Sequence, residues 1–321
     1  MNPLIWIIDD EWSNYKIEEE LLYSEFPGCT IKYSNLNFEK DLEEFGGKAD
    51  AVICQISVDM TKEVIEKLHN CKIISVYGTG YNNVDINAAK EKKIEVGFIP
   101  GYCAEDIGDY VIGALYYINK GYGTYNSQIK QGLWGAQAIN KTITRLSGKK
   151  LLIVGYGRIG QTVGRKAIAN NLEVLAYDPF LTDERAKELG VENVSLMEGL
   201  MVADFVSIHC IYSNETKGLF GKKQFELMKN DAYLINSSRG PIVNQKELVE
   251  AVKDKKIAGA ILDVLETEPP EVDDQILNTE GITVTPHMSY YSNDALNELQ
   301  YRAANNVVKV LKGKDGADLV K

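Results

Sequence analysis

The chain has 321 residues, 45% hydrophobic and 25% charged, a mixture that suits two soluble domains of ordinary size, each with its own core. Its formal net charge of −11 repels phosphate backbones and anionic membranes, which argues against nucleic-acid and membrane partners. No apolar run approaches the length of a membrane span, and the start MNPLIWIIDDEW lacks the basic flank of a signal peptide. Five scattered cysteines without a CxxC pair read as free thiols in a reducing compartment, the cytoplasm.

Short β-rich apolar runs alternate with helical patterns, the signature of parallel α/β folds. The first hundred residues give strands at Leu4–Ile8, Thr30–Tyr33, Ala51–Cys54, Ile73–Tyr77 and Ile94–Phe98. Asp9, Asp10 and Glu11, at the end of the first strand, read as a solvated acidic surface. Then Ile107, Tyr110, Val111, Ala114, Leu115 and Ile118 fall at helical spacing and predict one long amphipathic helix, from about Cys103 to Lys120. The segment GYGTYNSQIKQGLWG reads as its end and as a connector. A second unit opens at GKKLLIVGYG, with further strands at Val174–Tyr177, Phe205–His209, Ala232–Asn236, Gly259–Asp263 and Ile282–Thr285, six in all. Ser292 is an N-cap candidate for a last helix, with Ala295, Leu299, Ala303, Val307 and Val310 as its apolar stripe. The expected fold is α/β, two doubly wound parallel-sheet domains. A Rossmann dinucleotide-binding domain, residues 102–289, is inserted in a flavodoxin-like substrate domain built from residues 1–101 and 290–321.

Gly155-Tyr156-Gly157-Arg158-Ile159-Gly160 matches G-x-G-x-x-G directly after the strand Leu151–Val154 and at the head of a helical pattern, the context the motif requires. Gly155 allows the tight turn, Gly157 the approach of a pyrophosphate, and Gly160 close helix–strand packing. The helix N-terminus, Arg158 and Ile159 included, turns its N–H groups and positive dipole end towards the phosphates. Asp178 ends the next strand, 18 residues after Gly160, where a carboxylate accepts from ribose hydroxyls and repels a 2′-phosphate. The expected cofactor is therefore NAD. No metal site is expected.

Three segments stand at later strand ends: Asn236-Ser237-Ser238-Arg239-Gly240, Leu262 to Pro270 (LDVLETEPP) and Thr285-Pro286-His287. With the glycine loop, the segment VYGTGYNNVDINAAK and the strand VSIHC, their order and spacing resemble the D-isomer-specific 2-hydroxyacid dehydrogenases over essentially the whole chain. TPHMSYYSNDALNEL looks closest to the branch that contains the C-terminal binding proteins. The resemblance implies a small 2-hydroxy or 2-keto acid substrate and makes Arg239, Glu268 and His287 the catalytic residues. It also implies that Cys210, Ile211, Thr216 and Ser237 line the cofactor and that Asp263 contacts the nicotinamide carboxamide. Gly78, Thr79 and Gly80 would form the substrate loop, a nest of backbone N–H groups for a carboxylate, and Tyr290 an aromatic wall. Three positions depart from the pattern: Ile211 where proline is common, Val76 where that branch usually carries arginine, and Tyr290 where it has tryptophan.

The chemistry explains these residue types. Arg239 can grip the acid with two prongs and polarise its carbonyl. His287 can give the carbonyl oxygen a proton and take it back. A glutamate against the other imidazole nitrogen fixes the tautomer and favours the protonated ring. Glu268 and Glu266 both stand within reach of that role, and the family's glutamate before proline favours Glu268. Of the three histidines, His69 reads as solvated and His209 as structural or cofactor-flanking. The family usually pairs subunits, and Tyr116 and Tyr117 exceed what one helix face needs, so a homodimer is expected. The alternative reading is an NAD(H)-sensing binding protein like the corepressors of that branch; efficient turnover is the discriminator.

Overall fold

The computed structural model describes residues 2–12, 14–139 and 143–320. Its elements run β1 (Leu4–Ile8), α1 (Lys16–Glu25), β2 (Thr30–Ser34), α2 (Glu39–Glu44), β3 (Ala51–Gln55), α3 (Lys62–Lys67), β4 (Ile73–Tyr77), α4 (Ile86–Glu91) and β5 (Glu95–Gly97). Then come α5 (Ala104–Lys120), α6 (Tyr122–Lys130), β6 (Lys150–Val154), α7 (Arg158–Ala169), β7 (Glu173–Tyr177), α8 (Asp183–Glu188), β8 (Glu192–Asn193), α9 (Leu196–Val202) and β9 (Phe205–Ile208). The rest is α10 (Lys222–Leu227), β10 (Tyr233–Asn236), α11 (Gln245–Lys253), β11 (Gly259–Leu262), β12 (Ile282–Val284) and α12 (Asn293–Leu311), with four short 3₁₀ turns in addition. The chain divides into two compact units, Met1–Tyr102 with Ser292–Lys321, and Cys103–Tyr291.

The first unit is a parallel sheet in the order β2-β1-β3-β4-β5. Strands β3 (AVICQ) and β4 (IISVY) are buried along their whole length. Such runs suit a parallel sheet covered on both faces. One face packs on Phe38, Leu42, Ile65, Leu68 and Ala88, the other on Leu22, Leu299, Ala303 and Val307. The second set includes α12, so the C-terminal helix completes the N-terminal sheet. Ser292 caps α12 by accepting from the Ala295 N–H at 3.0 Å. Residues 318–320 return along β5, where Val320 N–H donates to Val96 O and Phe98 N–H to Asp318 O.

The acidic cluster after β1 is not uniformly solvated, against the expectation. Asp9 is 5% exposed. Its carboxylate accepts from Glu11 N (3.1 Å), Trp12 N (3.1 Å), the Tyr15 hydroxyl (2.7 Å) and Gln55 Nε2 (2.8 Å). The strand order reverses between β1 and β3, and Asp9 and Gln55 close that switch point from the two strand ends.

The second unit is a seven-stranded parallel sheet, β12-β11-β10-β9-β6-β7-β8. The extra strand over the six expected is the two-residue β8, too short to show a pattern. Helix α5 ends at Gly121, whose φ of 70° is the left-handed cap that glycine adopts freely. A second helix, α6, follows where a connector was expected. It buries none of its residues, so no apolar stripe announces it.

Candidate active site

The glycine loop follows from three different demands. Gly155 has φ 92°, and a Cβ there would meet Cys210 N at 2.4 Å. A Cβ on Gly160 would meet Gly155 O at 2.2 Å, so α7 can pack against the loop only through glycine. Gly157 has nothing within 4 Å of where its Cβ would be; its side of the loop is open. The loop thus sits where the sheet order reverses, between β6 and β9. Asp178 stands beside it after β7. One carboxylate oxygen accepts from Tyr156 N (2.8 Å), the other from Phe180 N (2.9 Å).

Further along the sheet, the Ser238 hydroxyl donates to Cys210 O at 2.6 Å and ties the ends of β9 and β10. Ile211 is 84% exposed. Its carbonyl accepts from the Thr216 hydroxyl (2.7 Å), which in turn accepts from Ser213 N (2.8 Å), so the turn after β9 closes on itself. The Ser237 hydroxyl is buried and has no hydrogen-bond partner among the described residues. A glycine cradle open at Gly157 and an orphaned hydroxyl two strands away suit a long, polar dinucleotide. His209, partly buried, hydrogen-bonds Ser207 (2.8 Å), and burial pushes its pKa down to about 3, so the ring is neutral. His69 is exposed.

Arg239, Glu268 and His287 follow the adjacent strands β10, β11 and β12. The Arg239 Nη1 donates to Ser238 O at 2.8 Å. A Cβ on Gly240 would lie 1.8 Å from Leu265 O, so the arginine's turn rests directly on the segment leading to Glu268. Glu268 Oε1 accepts from Leu265 N (2.8 Å) and Oε2 pairs with His287 Nδ1 (2.6 Å). Burial disfavours the Glu268 charge, but the His287 contact, the Leu265 N–H and the Arg239 charge together hold its carboxyl below the ordinary range. Glu266 turns elsewhere: its carboxylate accepts from Gln245 N at 2.8 Å. Of the two glutamates, Glu268 is the one that pairs with His287. The side chains of His287 and Glu268 are 28% and 36% exposed, and His287 Nε2 has no protein partner among the described residues.

Asp263 is 1% exposed and more occupied than the sequence suggests. Its carboxylate accepts from the Thr285 hydroxyl (2.6 Å), Met288 N (2.9 Å) and Ser289 N (2.8 Å). Tyr290 is partly buried beside Tyr291, their rings 6.4 Å apart and edge to face. In the first unit, Gly78 follows β4, and a Cβ there would meet Ile56 at 2.7 Å. The Gly78 N–H, expected as part of the nest, is instead bonded to Val76 O at 2.9 Å, and the Thr79 hydroxyl donates to Ile99 O at 2.9 Å, which leaves the Thr79 and Gly80 N–H groups as the loop's donors. Tyr110 was legible only as part of an apolar stripe; its hydroxyl bonds Thr285 at 2.8 Å. Among the described residues no group of three or more His, Cys, Asp or Glu is arranged to hold a metal ion, and no helix is long and apolar enough to cross a membrane.

The model of the D-isomer specific 2-hydroxyacid dehydrogenase, NAD binding domain, matches residues 112–289. A hydroxypyruvate reductase of Blautia hydrogenotrophica is 36% identical over 271 residues, 83% of this chain and 84% of that relative. A D-3-phosphoglycerate dehydrogenase of Archaeoglobus fulgidus is 32% identical over 296 residues, 92% of this chain and 56% of its own length. The apo D-lactate dehydrogenase of Escherichia coli has the same fold, with a TM-score of 0.84 at 26% identity over 99% of this chain and 100% of that one. With the two parallel sheets and the glycine cradle, these similarities establish that the chain belongs to the D-isomer-specific 2-hydroxyacid dehydrogenase family and is an NAD-dependent oxidoreductase.

Proposed function

We propose that the chain interconverts a small 2-keto acid and its D-2-hydroxy acid, with Arg239, Glu268 and His287 as the catalytic residues. One observation carries this reading: a histidine and a carboxylate paired at 2.6 Å on neighbouring strand ends, with the outer imidazole nitrogen left over and a cation on the next strand. Bound NADH supplies the hydride. Arg239 holds the substrate carboxylate and polarises the carbonyl. Protonated at Nε2, His287 gives its proton to the carbonyl oxygen as negative charge develops there, and Glu268 keeps the ring oriented and stabilises it while charged. In the oxidative direction Nε2 takes the hydroxyl proton back. Gly78, Thr79 and Gly80 form the loop assigned to the substrate carboxylate, with the Thr79 and Gly80 N–H groups as its donors, and Tyr290 is assigned an aromatic surface. On the cofactor side, Gly155, Gly157, Arg158, Ile159 and Gly160 hold the pyrophosphate. Cys210, Ile211, Thr216 and Ser237 would line the cofactor, Asp263 would meet the nicotinamide carboxamide, and Asp178 would select NADH over NADPH.

A homodimer is proposed on a separate observation. Tyr122, Ile129 and Trp134, on and just after α6, are 57%, 48% and 77% exposed, with Tyr116 and Tyr117 of α5 also open to solvent. Five free thiols fit a reducing compartment, the cytoplasm.

A panel of 2-keto acids with NADH, read as loss of NADH absorbance, tests the reaction. His287→Asn should lower kcat by about 10² to 10⁴-fold. Arg239→Ala should raise KM and lower kcat together. No turnover on any keto acid, or near-normal kcat in His287→Asn, would refute the reading.

A further inference from the structure

His287 has φ 56°, in the left-handed region that side chains rarely adopt. The turn must therefore be held from outside. Asp263 does most of this. Its main-chain oxygen accepts from His287 N (2.9 Å), and its carboxylate takes Met288 N and Ser289 N on either oxygen. The Thr285 hydroxyl reaches the same carboxylate at 2.6 Å, and the Tyr110 hydroxyl reaches Thr285 at 2.8 Å.

The direction of this chain of bonds is fixed. A carboxylate only accepts, so the Thr285 proton points to Asp263 and the Tyr110 proton points to Thr285. Burial pushes the Tyr110 phenol up to about 12 against the Thr285 hydrogen bond, which lowers it, with the Asp263 charge adding to the rise, so it keeps its proton. Tyr110 lies on α5. The same turn of that helix is clamped to α7, where Lys166 bonds Asp109 at 2.5 Å and a Cβ on Gly108 would meet Lys166 at 2.9 Å. Helix α7 is the one that begins at the glycine loop.

We propose that Tyr110 is a positioning residue for proton transfer, anchoring the His287 turn to the α5–α7 scaffold through Thr285 and Asp263. The proposal rests on His287 being the proton donor. It goes beyond that reading by giving the reaction a residue that touches neither substrate nor proton.

Tyr110→Phe keeps the ring in its site and removes only the donor. It should lower kcat for keto-acid reduction about 3- to 10-fold, the size expected for one lost buried hydrogen bond. NADH affinity, read by fluorescence titration, should stay within about two-fold. The solvent deuterium isotope effect on kcat should rise, because a misaligned histidine makes the proton step more limiting. Thr285→Val should do the same, and the double variant should be little worse than either single one. A purely structural role gives a different result: a lower unfolding temperature, a loss of NADH binding in proportion, and an unchanged isotope effect. That outcome overturns the proposal, as does normal kcat in Tyr110→Phe alongside an inactive His287→Asn. If instead His287→Asn turns over normally, the catalytic assignment itself falls and this inference falls with it.

Discussion

Glu18 gives the fold a measurable dependence on pH. It lies on α1 with no solvent exposure. One carboxyl oxygen accepts from the Tyr77 hydroxyl at 2.6 Å; the other is buried without a partner among the described residues. Its nearest charged neighbours, Asp9 and Glu19, have the same sign, and burial pushes its pKa from 4.5 up to about 7. Between those two values the folded chain holds a proton that the unfolded chain has released. Stability therefore falls as pH rises through this window and levels off once both states are ionised. At about 1.4 kcal/mol per pH unit, the window is worth about 3 kcal/mol. Glu18→Gln keeps the acceptor for Tyr77 and puts a neutral group where the protonated acid has its hydroxyl. The variant should match the parent near about pH 5 and exceed it by up to about 3 kcal/mol near about pH 8. Urea unfolding across that range tests this, followed by Trp6 and Trp12 fluorescence. Both tryptophans belong to the first unit, and Trp12 stacks edge to face on Tyr77 at 4.2 Å. A stability difference that does not change with pH would refute the argument.

Glu268→Gln removes the carboxylate paired with His287 Nδ1 and should lower kcat for keto-acid reduction, while Glu266→Gln, whose carboxylate serves Gln245 N, should leave kcat within about two-fold of the parent. Asp178→Ser should narrow the preference for NADH over NADPH, measured as the ratio of the two kcat/KM values, because it removes the charge facing a 2′-phosphate. Gly240→Ala should cost at least about 2 kcal/mol in urea unfolding and lower kcat, since its Cβ would lie 1.8 Å from Leu265 O; a variant with parental stability and turnover would mean that the Arg239 turn does not need this close approach. His209, neutral in the fold with a pKa near about 3, adds stability that is present above the ordinary 6.5 and lost as pH falls, so His209→Gln should flatten the acid limb of unfolding.

The elements that the sequence made legible are those whose reason for existing is local. The strands Leu4–Ile8 and Ile73–Tyr77 fall where their apolar runs do, and Ser292 caps α12 as its position implied. The glycine loop was legible because each glycine answers a local demand, for a positive φ at Gly155 or for bare space at Gly160. Helix α6 was not, because a helix that buries nothing leaves no period in the sequence. The same limit applied where β10, β11 and β12 end. Spacing brought Arg239, Glu268 and His287 to successive strand ends. Only coordinates could decide that Glu266 points at Gln245 and Glu268 at His287, two residues apart on one segment.

Asp9 and Glu18 show why charge in the sequence is a poor guide to charge in the fold. Read along the chain, both belong to an acidic N-terminal stretch and invite the same solvated reading. In the fold both are buried near the same end of the same sheet, with opposite consequences. Asp9 ends a strand at the switch point, where the chain turns back over it and two main-chain N–H groups, a phenol and an amide converge on its oxygens. Four donors compensate for the lost hydration of its oxygens. Glu18 lies in the first turn of α1, where Tyr77 is the one side chain that donates to its carboxyl and the second oxygen is left without a partner among the described residues. With one donor the neutral acid is favoured. What separates the two is the number of donors: the β1–α1 turn and β3 deliver four to Asp9, while β4 delivers one to Glu18. Tyr77 also immediately precedes Gly78. The strand end that supplies Glu18 with its single side-chain donor is therefore the one from which the Gly78 loop leaves.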